Sequence, residues 1–140
     1  IQQCDVLLST GAIGYVTGRT VGPILEEFGH CGHGALGPVA IISVLELFDP
    51  ESIARSFTEH GFRFGPLSVR LPQRRFVDEA ERRSVIGALQ QRGLPAAAQE
   101  SEKTMFAKLW IAAHPDRFQE LTRCLSKTYD EVSGPVLVGC

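Results

Sequence analysis

No apolar run among the 140 residues approaches the roughly 20 that a membrane-crossing helix needs, so the chain has no candidate membrane span. Neither end carries the pattern of a signal peptide, and the expected compartment is the cytoplasm. Blocks of one charge sign are missing and the formal net charge is −2. A dedicated nucleic-acid binder would need a concentrated basic face, which argues against that class. The four cysteines (Cys4, Cys31, Cys124, Cys140) form no CxxC pair and are widely scattered. A chain that is 44% hydrophobic can bury a core without a disulfide frame, so they read as reduced thiols. Internal repeats and linkers are absent, and length fits about one domain. An initiator methionine is absent too. The chain opens on Ile1 and is therefore expected to be a processed product or an excised piece.

What is present begins at once. The run Cys4-Asp5-Val6-Leu7-Leu8-Ser9-Thr10-Gly11-Ala12-Ile13-Gly14-Tyr15-Val16 is a short apolar stretch that stops in small and hydroxyl residues. It reads as a buried strand covered on both faces and delivering a loop. In open α/β sheets ligands bind beyond the carboxyl ends of strands, where small residues let backbone approach closely. Ser9 and Thr10 then supply hydroxyls, and Tyr15 a ring. A tight strand-to-helix turn with no ligand would use the same residues.

The remaining elements follow in alternation. Thr17 or Thr20 can cap a helix to about Phe28, with Pro23 in its first turn and Gly29 as its stop. Pro38 to Leu47 is a second apolar strand, and Asp49-Pro50 starts a helix that Gly61 ends. Phe62 to Val69 is a third strand, interrupted or ended at Gly65-Pro66. Asp78 with Glu81 forms a capping-box pattern for a helix through Gln91, closed by Gly93-Leu94-Pro95. Residues 95–103 read as a polar connection, Thr104 to Ala112 as a fourth strand, and Pro115 onward as a short amphipathic helix through Phe118, Leu121 and Leu125. Gly134 to Val138 is either a strand or a tail. Such alternation predicts an α/β sheet with right-handed crossovers between parallel neighbours.

The segment Asp5 to Val16 resembles the fourth-strand region of class I S-adenosylmethionine-dependent methyltransferases. Pro38–Leu47, Asp49–Gly61, Phe62–Val69 and Thr104–Ala112 are then similar to that family's strand five, the helix behind it, strand six and strand seven. Pro72-Gln73-Arg74-Arg75-Phe76 with its following acidic helix resembles one bacterial subgroup. The resemblance spans roughly residues 4–115. It implies a partial doubly wound, Rossmann-like sheet of strands four to seven with flanking helices, the last strand antiparallel. It divides the chain into a half-domain over 1–115 and a C-terminal helix and tail over 116–140. It further implies S-adenosylmethionine as cofactor, touched here by Ser9, Thr10 and Gly11. A small-molecule methyl acceptor would meet Ala12, Gly14, Tyr15, Arg74 and Arg75. The family's glycine-rich cofactor loop and ribose-binding acid are not in this sequence; by the family's layout they would precede Ile1. Methyl transfer is therefore expected only together with that cofactor half. A sheet opening on a central strand would also expose an apolar edge and invite self-association, so a non-catalytic binding or assembly module is the alternative.

Other motifs carry less. His30-Cys31-Gly32-His33 has zinc-binding donor types, yet on one loop and without a second cluster, and no metal is expected. Arg70, Arg74, Arg75, Arg82, Arg83 and Arg92 could steer an anion, but Asp78, Glu79 and Glu81 offset them as on a solvated helix face. Glu100 and Glu102 could supply a base and equally read as solvated acids. Trp110 reads as core, and His60 as a helix-end cation beside Gly61.

Overall fold

The computed structural model describes residues 6–10, 18–30 and 37–132. The elements run β1 (Val6–Thr10), α1 (Gly18–His30), β2 (Val39–Leu45), α2 (Pro50–Glu59), β3 (Arg63–Arg75), α3 (Glu79–Gln91), α4 (Ala97–Ser101), β4 (Thr104–Ala113) and α5 (Pro115–Val132). Four strands form one open sheet in the order β1-β2-β4-β3. β1 and β2 are parallel, whereas β4 lies antiparallel between β2 and β3. Three strands therefore point one way and one is inverted, and helices cover both faces. The protein is α/β with a mixed sheet.

Alternation along β2 divides the core between the faces, as the two-residue period of a strand requires. Ala40, Ile42 and Val44 pack with Val21, Leu25 and Phe28 of α1 and Ile53 and Phe57 of α2. Val39 and Ile41 turn to the other side, where Leu67, Val69 and Ile111 meet Phe118, Leu121 and Leu125 of α5. On the first face Phe57 stacks on Phe64 at 4.9 Å and Phe64 on Trp110 at 5.0 Å, so aromatic rings tie α2, β3 and β4 together.

Helix ends follow local chemistry. Asp49 accepts from the Glu51 amide at 2.9 Å, and Pro50 fills the first helical position of α2, where no amide is needed. At its other end Gly61 takes φ +82°, and the amides of Phe62 and Gly61 close back on Phe57 and Thr58. That is a Schellman cap, completed by the Phe57–Phe62 ring contact. Asp78 caps α3 on the Glu81 amide at 2.8 Å, while the Glu81 carboxylate takes the Val77 amide at 2.7 Å.

Several elements depart from expectation. β1 is not covered on both faces, since Val6 and Leu8 are 56% and 66% exposed on one of them, and α5 is not short but runs for 18 residues. α1 starts at Gly18, so Pro23 lies inside the helix rather than in its first turn. The ring removes one helical hydrogen bond, and the buried row Val21, Leu25 and Phe28 holds the helix against the sheet regardless. β3 does not end at Gly65-Pro66 but runs on to Arg75, with register shifts between Pro66 and Arg70 and between Pro72 and Arg74. β3 is an edge strand, where a proline leaves no ladder amide unmet. The expected connection at residues 95–103 contains the short helix α4. The expected strand or tail at 134–138 lies outside the described residues.

Candidate functional site

β1, β2 and β3 all end at the same side of the sheet, because β4 alone is inverted. Beyond the carboxyl end of β2 the chain turns through Glu46 to Phe48 into α2, while the α3–α4 connection folds over the same place. Between them lies a cavity of about 390 Å³, large enough for a small organic ligand. Val44, Phe48, Leu94, Pro95 and Trp110 give it a mainly apolar wall, and Glu46, Gln99 and Lys108 are its polar members. Val44 pairs with Lys108 and Ile42 with Trp110, so the sheet side of the cavity belongs to the α1/α2 face.

The polar members differ in what already binds them. Glu46 receives Arg70 through two bonds, Nε to Oε1 at 2.7 Å and Nη2 to Oε2 at 2.8 Å. Arg70 also donates to Glu102 through Nη1 and lies over the Phe106 ring, 3.8 Å from its centroid. The hydrogen-bonded Glu46, with Glu102 beside it, outweighs burial and raises the pKa of the Arg70 guanidinium further above its usual range. Gln99 is 2% exposed, and its Nε2 donates to Glu46 at 3.4 Å, a long bond. Its Oε1 finds no hydrogen-bond partner, an acceptor left over in a wall otherwise satisfied. Lys108 is exposed and forms no ion pair among the described residues.

The residues singled out in the sequence fall in two places. Ser9 and Thr10 are the last residues of β1. Ser9 pairs with Ile42 and so shares the α1/α2 face with the cavity one strand away, while Thr10, paired with Ser43, turns to the α5 side. Gly11, Ala12, Gly14 and Tyr15 lie outside the described residues, as do Cys4, Cys31, His33 and Cys140.

Arg74 and Arg75 sit elsewhere. They pair with Met105 and Thr104, whereas Thr10 is level with Ser43 and Leu109. With three strand spacings across and four residues along, Arg74 is about 14 Å to the side of Thr10 and about 13 Å farther on. The structure does not bring the two groups together. The Arg74 guanidinium is also already engaged, with Nη2 at 2.6 Å from Glu81 Oε1 and Nη1 at 3.1 Å from its Oε2. Arg74 and Glu81 line a separate hollow of about 430 Å³ beside Val85 and Met105. The basic cluster is largely paired on α3: Arg82 binds Glu79, and Arg92 caps the Leu47 carbonyl.

Other candidates resolve into structural roles. His60 Nδ1 donates to the Ser56 carbonyl at 2.7 Å. Glu102 serves Arg70, and Glu100 accepts from Gln90. Trp110 is only half-buried, and it lines the cavity while stacking on Phe64. Among the described residues no His, Cys, Asp or Glu side chains gather as a metal site, and no helix is long and apolar enough to cross a membrane. Sequence reasoning missed Glu46, Gln99 and Lys108, which come from three separated segments with no local signal. No protein-family model, curated protein or solved structure matches the chain.

Proposed function

We propose that this chain is the half of a class I methyltransferase domain that holds strands four to seven. It would act with an N-terminal half that binds S-adenosylmethionine and supplies the methyl group. The observation that carries the reading is the inverted strand. A parallel β1–α1–β2 unit is followed by a last strand antiparallel to its neighbours, as the resemblance implies for strand seven. A cavity at the carboxyl end of β2, one strand from Ser9, supports it further, since ligands of open α/β sheets bind in that crevice.

The described residues fit the cofactor only as one wall. Ser9 and Thr10 offer hydroxyls at the end of β1, but Glu46 and Glu102 are both held by Arg70, leaving neither carboxylate of the cavity region open to a ribose diol. In this reading Ser9, on the cavity's side of the sheet at the end of β1, faces the cofactor, and the chain's work is to hold the acceptor and fix its approach. Orientation of that kind supplies much of the rate in bimolecular transfers. The acceptor atom in this reading is an oxygen or a nitrogen.

The second reading is a non-catalytic module that binds or assembles through its sheet edge. Val6 and Leu8 of the edge strand β1 are 56% and 66% exposed, which favours it. Calorimetric titration of the native full-length protein with S-adenosylmethionine decides between them. Saturable heat is expected, and no heat at millimolar cofactor overturns the methyltransferase reading.

A further inference from the structure

We infer that the cavity between β2, α2 and α4 binds a small planar aromatic acid, its ring against Trp110 and its anionic group on Lys108. In the proposed function this molecule is the methyl acceptor, and only that role rests on the methyltransferase reading.

Charge selects the ligand's polar end. Two charged side chains line the cavity, and they are not equivalent. Both oxygens of Glu46 are already met by Arg70, and Gln99 adds a third donor. Lys108 has no acidic partner among the described residues. Lys108 is therefore the charged group of the lining left without an ion pair among the described residues, at the edge of an apolar space, and an anion is its complement. A cationic ligand would find the carboxylate already spent on Arg70.

Shape selects the rest. Val44, Phe48, Leu94 and Pro95 contribute carbon surface, and about 390 Å³ admits a one- or two-ring molecule. Trp110 is braced by Phe64, whose ring lies at 10° to its own. A braced indole is a preorganised stacking surface, because its orientation is fixed before the ligand arrives.

The chain has a single tryptophan, so its indole N–H gives one signal in a nitrogen–proton correlation spectrum, and that signal comes from the wall of this cavity. The test titrates the 140-residue chain with 2-naphthoate and, separately, with neutral 2-naphthylmethanol, without any methyl donor. Naphthoate is expected to move the Trp110 signal to saturation. Lys108→Gln is expected to weaken naphthoate about tenfold, the loss of one charge-assisted hydrogen bond, and to leave naphthylmethanol within about twofold. Lys108→Arg should restore most of the affinity, and Arg75→Gln should change nothing. A Trp110 signal unmoved by millimolar naphthoate overturns the inference. So does naphthoate binding that Lys108→Gln leaves intact. Because no cofactor is present, failure here is distinct from failure to bind S-adenosylmethionine.

Discussion

Arg70 grips Glu46 by a two-point fork across an intervening strand. The residues are 24 apart in sequence; Arg70 belongs to β3, Glu46 follows β2, and β4 lies between. The guanidinium crosses β4 on the Phe106 ring. With side chains 31% and 14% exposed, the pair is shielded from water far better than an ordinary surface bridge. Arg70→Met leaves both Glu46 and Glu102 without their cation and should cost about 2 kcal/mol in urea denaturation. Arg70→Lys should recover less than half, because an ammonium has no fork. The double variant Arg70→Met, Glu46→Leu should lose less than Arg70→Met alone, since it removes the stranded charge as well. If the double variant is the less stable, desolvated charge is not what the pair resolves.

The Arg74–Glu81 pair makes a pH prediction. The hydrogen-bonded Arg74 fork, then the Val77 amide, lowers the Glu81 carboxyl from 4.5 to about 2. A carboxylate whose pKa is depressed on folding stabilises the fold above its unfolded pKa and loses that contribution as pH falls through the folded one. The stabilisation should therefore be complete near neutrality and fade between about pH 5 and about pH 2. Glu81→Gln should be less stable than the parent at pH 7 and converge with it at pH 2. Denaturation midpoints across that range check it, and a constant difference would refute the assignment. Glu79, lowered by Arg82, contributes in the same direction in both proteins.

The contact of β3 with α5 turns on one hydrogen. A Cβ placed on Gly65 would stand 2.8 Å from Phe118 Cζ. Phe118 is also the ring beneath the Arg63 guanidinium, 5.2 Å from its centroid, so it cannot swing aside without loss. Gly65→Ala should cost about 1–2 kcal/mol by overpacking. Phe118→Leu should be costly alone but milder in the Gly65→Ala background, a favourable coupling that a double-mutant cycle of denaturation midpoints reads directly. Simple additivity would show that the helix shifts freely.

How much of this was legible in the sequence depends on the range over which each feature is decided. Asp49-Pro50, Gly61, the Asp78–Glu81 spacing and Gly93 act within a few residues, and the structure places helix ends at each of them. The antiparallel last strand, expected from the resemblance, is present. The length of β3 was not readable, because Pro66 and Pro72 are breakers unless the strand lies at an edge, and strand order is a tertiary fact. Pro23 misled for a similar reason: packing of Val21, Leu25 and Phe28 overrides a local penalty. The cavity was the least legible feature. Residues 44–50, 94–99 and 108–110 meet only after β4 inserts beside β2, and nothing in any one segment marks a site. Arg74 and Arg75 were drawn to the site by motif, and the strand register sets them far from Ser9 and Thr10.

The edge of β1 carries the last prediction. Among the described strands β1 pairs only with β2, and on its α5-side face Val6 and Leu8 are largely exposed. An edge strand with exposed apolar side chains is a template for another strand, whether that strand comes from a cofactor-binding half or from a second copy. In the 140-residue chain the second copy is what is available. Sedimentation velocity should show mass rising with protein concentration. Leu8→Lys places a charge on the exposed face and should return the chain to monomer while leaving its denaturation midpoint within about 0.5 kcal/mol of the parent. A parent chain that stays monomeric at every concentration would rule out this edge as an assembly surface. Association that Leu8→Lys leaves untouched would place the contact on another face.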